Sequence, residues 1–111
     1  MADAIPRRKQ VTLGIVGTGP LWDSYREVIR RRAQHMVVRG VYDAVPVKAE
    51  QAARECQAVA APSLTALFER SDLDAVLVID AAWQSWFALE LAARYHKPTL
   101  AVGPWVGELS H

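Results

Sequence analysis

Residues 11–22 read Val-Thr-Leu-Gly-Ile-Val-Gly-Thr-Gly-Pro-Leu-Trp, and this stretch decides the fold. Its first half is a short apolar run rich in β-branched residues, which predicts a buried strand that ends near Val16. Gly17 and Gly19 follow at once, and an amphipathic pattern with helical period begins at Leu21. A strand that passes through a glycine turn into a helix is typical of the first unit of a parallel α/β sheet.

The same alternation of strand and helix continues along the rest of the chain. Further strands are predicted at residues 36–42, 59–60, 75–79 and 99–102. Helices are predicted at residues 47–56, 63–68 and 86–95. The continuous apolar run Ala75–Ile79 indicates a strand covered on both faces. With right-handed crossovers, we expect a Rossmann-like doubly wound parallel sheet of about five strands, in three α/β/α layers and with strand order 3-2-1-4-5.

Length and composition fit one domain and no more. The chain has 111 residues, of which 51% are hydrophobic and 23% charged, as in an ordinary globular protein with one core. We expect residues 1–10 to form an amino-terminal tail and residues 11–111 to form a single Rossmann-like domain.

Charge and cysteine content exclude several functional classes. The net charge of +1 provides no bulk attraction to nucleic acid or to an acidic membrane, and the basic triplets at residues 7–9 and 30–32 are interpreted as solvated surface. The single cysteine, Cys56, excludes an intramolecular disulfide and favours a reducing compartment. No apolar run is long enough for a membrane span, and residues 1–10 lack a signal-peptide core. The expected location is cytoplasmic.

The glycine loop has the chemistry of a phosphate-binding turn. Gly17 would make the tight turn, and Gly19 would let a pyrophosphate approach the amino end of the first helix. Where the G-x-G-x-x-G pattern has its third glycine, this chain has Trp22, whose ring must face outward or push the helix away. Asp43 ends the second strand, where an acid hydrogen-bonds an adenosine ribose and repels a 2′-phosphate, which favours NAD over NADP. Alternatively, these residues only shape turns.

NAD is therefore the expected cofactor, and we expect its binding to be weak or to have been lost. Trp22 interrupts the loop pattern, and Asp23 would place a negative charge beside the pyrophosphate. The expected cofactor contacts are Gly17, Thr18, Gly19, Pro20, Leu21, Asp43, Asp80 and Ala81. No catalytic residue and no metal ligand are expected, because the serines lack a nucleophile context and the three histidines share no ligand spacing.

In their order and spacing, the motifs resemble the amino-terminal nucleotide-binding domain of the Gfo/Idh/MocA oxidoreductase family. The resemblance covers about residues 11–105. It includes the glycine loop, Val41-Tyr-Asp43, Leu73-Asp-Ala-Val76 and His96-Lys-Pro-Thr99. It implies an NAD(P)-binding domain that holds its cofactor in the crevice where the strand order reverses.

Departures from the family pattern argue against catalysis by this chain alone. After the fifth strand the family usually has a lysine that assists proton and hydride transfer, and here the matching position is Gly103. After the fourth strand the usual Thr-Pro-Pro is replaced by Asp80-Ala-Ala82. The family also needs a carboxy-terminal substrate domain, whereas this sequence ends at His111. We therefore expect an isolated chain without activity.

Four tryptophans are the most unusual feature of the composition. Trp22, Trp83 and Trp105 follow the first, fourth and fifth strands, whose carboxyl ends should be adjacent in the sheet. They could be scattered, with Trp86 in the core, or they could fold inward and plug the crevice. They could also form an exposed patch that binds a second copy or a partner chain, with Trp83 as anchor. The alternative function is accordingly a non-catalytic Rossmann-like module for protein interaction or regulatory nucleotide sensing.

Overall fold

Five parallel strands form one sheet in the computed structural model, which describes residues 10–79 and 85–102. The strands are β1 Val11–Val16, β2 Met36–Tyr42, β3 Val59–Ala60, β4 Ala75–Ile79 and β5 Thr99–Val102. Their order is β3-β2-β1-β4-β5, and every ladder is parallel. The predicted fold class and strand order are confirmed. Residues 1–9 lie outside the described residues, so the expected tail stays a prediction.

Helices connect the strands close to the predicted positions. They are α1 Trp22–Arg31, α2 Pro46–Cys56, α3 Leu64–Glu69 and α4 Ser85–Arg94. The Ser63 hydroxyl caps α3 by accepting the Ala66 N–H at 3.0 Å. Gln57 ends α2 in the left-handed conformation, with φ of 58°. Within the described part of the chain, no helix is long and apolar enough to cross a membrane.

The helices cover the two faces of the sheet with separate cores. One core joins α1 and α2 to the sheet through Leu13, Ile15, Trp22, Ile29, Val38, Val41, Ala49, Ala52, Ala53 and Ile79. The other joins α3 and α4 to it through Val16, Ala61, Leu64, Leu67, Phe68, Leu73, Val76, Val78, Ala88, Leu91 and Ala92. Successive side chains of a strand point to opposite faces, so Ile15 enters the first core and Val16 the second. The helix that connects β3 to β4 therefore lies on the opposite face of the sheet from α1 and α2, as in a doubly wound fold.

Glycines within β1 and β2 allow α3 to lie close to the sheet. Gly14 and Gly40 are partners across the β1–β2 ladder. A Cβ atom on Gly40 would lie 2.8 Å from Leu67 Cδ1, and one on Gly14 would lie 2.7 Å from Leu73 Cδ1 and 3.4 Å from Leu67 Cδ1. Leu67 is completely buried. The missing side chains of the strand glycines thus make room for Leu67 of α3 and for Leu73, which follows α3.

Trp22 lies in the core beneath α1 and α2, with 4% of its surface exposed. This position corrects the expectation that Trp22 belongs to an exposed aromatic patch. The helical repeat explains this burial, because Trp22, Tyr25 and Ile29 lie on the face of α1 that packs against the sheet, whereas Asp23 and Ser24 are exposed. The indole Nε1 is buried and has no hydrogen-bond partner. The ring therefore supplies apolar contact area and carries one unpaired donor.

Gly40→Ala is expected to lower the free energy of unfolding by about 1–3 kcal/mol, because the new methyl group forces Leu67 to move within a packed core. Urea unfolding of the wild type and the variant measures the loss. In a Leu67→Ala background the methyl group has room, so the same substitution should cost much less. An equal cost in both backgrounds would show that Leu67 is not the obstacle.

Trp22→Ala is expected to destabilise the fold by about 3–5 kcal/mol, since it empties a core position. Trp22→Phe should change the free energy of unfolding by less than about 1 kcal/mol, because it removes the unpaired Nε1–H together with part of the ring. Both values come from chemical denaturation at one pH. If the phenylalanine variant proved as unstable as the alanine variant, the indole N–H would have a partner in solution.

Candidate functional site

The glycine loop lies at the carboxyl end of β1, where the chain turns into α1. Gly17 has φ of 92°, a left-handed conformation that favours glycine. Its N–H donates to the Tyr42 carbonyl oxygen at 2.9 Å, which ties the loop to the end of β2. The Trp22 N–H donates to the Gly19 carbonyl oxygen at 2.9 Å and closes the turn before α1. The tight turn predicted at Gly17 is present.

The Asp43 carboxylate lies against this loop. Asp43 Oδ2 accepts hydrogen bonds from the Thr18 N–H and from the Thr18 hydroxyl, both at 2.7 Å. Oδ1 accepts the Val45 N–H at 2.8 Å, which closes a turn before α2. Hydrogen bonds to an ionised carboxylate are short and about twice as strong as neutral ones. Asp43 therefore joins the loop after β1 to the start of α2 and places a half-buried negative charge at the candidate site.

The amino end of α1 offers fewer backbone donors than a glycine-rich turn could. Pro20 has no N–H, and the Trp22 N–H is used within the turn. Leu21, at the N-cap position, provides no side-chain cap. The Asp23 carboxylate is 82% exposed and lies 3.4 Å from the Arg26 guanidinium, which partly compensates its charge. The charge objection raised by Asp23 is thus weaker than the sequence alone indicated.

A shallow cleft continues from Asp43 along the ends of β2 and β3. Its volume is about 320 Å³. It is lined by Tyr42, Asp43, Ala44, Pro46, Ala49, Glu50, Ala60, Ala61 and Pro62. Most of these side chains are small or cyclic, so the cleft has the shape and partly apolar walls that suit a flat ring. The cleft and the glycine loop meet at Asp43.

Several predicted site residues lie outside the described part of the chain. They are Asp80, Ala81, Trp83, Gly103 and Trp105. The structure brings Gly17, Thr18, Gly19 and Asp43 together at one edge of the sheet. Sequence reasoning placed Asp43 near the loop but missed the Thr18–Asp43 hydrogen bonds. The polar Thr18 within the glycine pair is the one sequence signal that pointed to such a contact.

Other reactive groups in the described residues do not form a second site. Burial, followed by the nearby Glu55 carboxylate, raises the pKa of the half-buried Cys56 thiol, so little thiolate is present at neutral pH. Across residues 10–79 and 85–102, no group of three or more His, Cys, Asp or Glu side chains could hold a metal ion.

Comparison with known proteins agrees with the fold. Residues 11–99 match the Gfo/Idh/MocA oxidoreductase family, NAD-binding Rossmann fold. Apo scyllo-inositol dehydrogenase from Lactobacillus casei superposes with a TM-score of 0.76 at 22% identity, over 88% of this chain and 30% of that one. A comparison with curated proteins found no match.

Two cofactor-bound structures are also similar. Myo-inositol dehydrogenase from Lactobacillus casei, in complex with NAD(H) and myo-inositol, gives a TM-score of 0.76 at 24% identity, over 84% of this chain and 28% of that one. Biliverdin reductase from Synechocystis, in complex with biliverdin and NADP+, gives a TM-score of 0.74 at 22% identity, over 86% of this chain and 30% of that one. The chain spans less than a third of the length of each of these structures. By its match over residues 11–99, the chain belongs to the Gfo/Idh/MocA oxidoreductase family and contains that family's NAD-binding Rossmann domain.

Proposed function

We propose that this chain binds the adenosine half of NAD at the edge formed by the glycine loop and Asp43, as the cofactor domain of an oxidoreductase. The observation that carries the proposal is the Asp43 carboxylate, which is held beside the loop by three short hydrogen bonds. The pyrophosphate would lie over Gly17 and Gly19 at the start of α1, where backbone dipoles favour an anion.

The residues present fit the adenosine end of the cofactor. The ribose diol would donate to the Asp43 carboxylate, and the adenine ring would lie in the cleft that continues from it. A 2′-phosphate would instead bring a second negative charge against Asp43, which is costly at short range. Solved structures that resemble this chain contain either NAD(H) or NADP+, so the fold does not decide the choice. The acid at position 43 supports a preference for NAD.

Hydride chemistry would depend on residues beyond those that hold the adenosine. When bound, NAD supplies a nicotinamide ring that accepts or gives up hydride. The contacts proposed at Asp80 and Ala81 lie outside the described residues, and so does Gly103, where the family pattern has a lysine. We infer that this chain positions the cofactor and that other groups handle the substrate and its proton.

The interaction-module alternative has less support than the cofactor domain. Trp22 is buried, and Trp83 and Trp105 lie outside the described residues. A second copy or a partner chain at the tryptophan-rich edge stays a prediction. No contact among the described residues favours it over the loop that Asp43 stabilises.

Asp43→Asn is expected to weaken NAD binding about tenfold or more, because it removes the charged acceptor of the ribose hydroxyls. The loss for NADP should be smaller, since the variant also removes the repulsion of the 2′-phosphate. Isothermal titration with NAD and NADP measures both constants. The wild type should bind NAD weakly and in preference to NADP.

Asp74→Asn serves as the matched control, because Asp74 holds Thr12 at the opposite end of β1. This variant should leave NAD affinity unchanged. Sub-micromolar NAD binding, or tighter binding of NADP than of NAD by the wild type, would contradict the proposed site.

Hydride transfer from a polyol or sugar to NAD is not expected from the chain alone, because Gly103 has no side chain with which to move a proton. NADH absorbance during incubation with a panel of polyols measures it. NAD-dependent turnover that Asp43→Asn abolishes would show that the chain carries its own catalytic groups.

A further inference from the structure

The Asp43 carboxylate has almost no acceptor capacity left in the free chain. A carboxylate offers about four lone-pair sites, two on each oxygen. Oδ2 accepts both the N–H and the hydroxyl of Thr18 at 2.7 Å, and Oδ1 accepts the Val45 N–H at 2.8 Å. One site on Oδ1 therefore remains, whereas both sites on Oδ2 are taken.

We propose that the Thr18 hydroxyl is a built-in competitor of the ribose, occupying the site on Asp43 Oδ2 that a ribose hydroxyl would use. This inference rests on the proposed function. A diol that spans a carboxylate donates one hydrogen bond to each oxygen, so its second hydroxyl must displace a donor from Oδ2. The Thr18 N–H is fixed in the backbone of the glycine loop. The hydroxyl, by contrast, leaves Oδ2 when the Thr18 side chain rotates about its Cα–Cβ bond.

A role in competing with the ribose and a role in positioning Asp43 predict opposite effects on NAD binding when the Thr18 hydroxyl is removed. If it mainly held the carboxylate in place, its removal would loosen Asp43 and weaken binding. The geometry points to competition, because the Thr18 N–H and the Val45 N–H hold one carboxylate oxygen each without the hydroxyl. The carboxylate thus keeps its orientation when the hydroxyl is removed, and it gains a free acceptor site.

A second threonine beside an aspartate, at the other end of β1, provides a control. The Thr12 N–H donates to Asp74 Oδ2 at 2.9 Å, and the Thr12 hydroxyl lies 2.9 Å from the same oxygen and 2.6 Å from the Asp72 carbonyl oxygen. This pair lies near the amino end of β1, whereas the glycine loop follows its carboxyl end. Thr12→Ala therefore removes a hydroxyl that contacts a carboxylate far from the proposed ribose position.

The test compares Thr18→Ala, Thr18→Ser and Thr12→Ala by isothermal titration with NAD and NADP. Alanine removes the hydroxyl and leaves its space open, so Thr18→Ala should bind NAD about three- to tenfold more tightly, the equivalent of one hydrogen bond. NADP has one ribose hydroxyl fewer to offer, so its affinity should rise less and the preference for NAD should widen. Thr18→Ser retains the hydroxyl and should not show this gain. Thr12→Ala should bind as the wild type does.

The possible failures are distinguishable. Unchanged or weaker NAD binding by Thr18→Ala, with normal binding by the wild type, overturns the competitor role and leaves the proposed function standing. Failure of every variant and of the wild type to bind NAD overturns both. In the free chain, a double-mutant cycle of Thr18→Ala with Asp43→Asn measures the coupling of the two side chains in urea unfolding. Zero coupling would overturn the hydroxyl–carboxylate contact itself.

Discussion

β1 pairs with β2 on one side and with β4 on the other, and this central position constrains the rest of the structure. A strand that is covered by helices on both faces cannot alternate polar and apolar residues, so Ile15 and Val16 are both completely buried. The chain leaves β1 in one direction to build β2 and β3, and it returns on the other side to build β4 and β5. Connections therefore diverge from the carboxyl end of β1, which leaves the glycine loop at the edge of the sheet where doubly wound folds bind their ligands.

The loop at that edge is held by polar contacts, whereas the strands beneath it are held by burial. Gly17 donates to the carbonyl of Tyr42, and Thr18 donates twice to the Asp43 carboxylate. Both acceptors come from the end of β2, so the two loops that follow neighbouring strands are hydrogen-bonded to each other. Each hydrogen bond to the charged carboxylate contributes about 1.5–3 kcal/mol. A site preorganised in this way loses little entropy when a ligand binds, but its acceptors must be shared with the ligand.

The elements that rest on hydrophobic pattern could be predicted from the sequence, and those that rest on side-chain direction could not. The apolar run Ala75–Ile79 predicted the bounds of β4 correctly, and α1 begins at Trp22, one residue from the predicted start. Trp22 was misassigned because it was compared with the glycine that the loop pattern expects there. Its spacing to Ile29 along the helix indicated an inward position. The Thr18–Asp43 contact joins two loops that are distant in sequence, and it depends on rotamers that no pattern encodes.

The position of Trp22 also changes why cofactor binding would be weak. The third glycine of the loop pattern usually allows close packing between helix and strand, and a large ring there suggested steric obstruction. The ring instead lies in the core formed by α1 and α2, and it lines a space that it shares with Thr18 and Ala52. A ring buried to this extent does not stand exposed over the glycine turn. Exchange of hydrogen bonds at Asp43 would also limit affinity, because one ribose hydroxyl can use the free site on Oδ1 but the other would replace a bond that Oδ2 already accepts. Such an exchange is nearly neutral in free energy. We infer that affinity at this site depends on the occupied acceptors of one carboxylate more than on the bulk of the side chain that replaced the glycine.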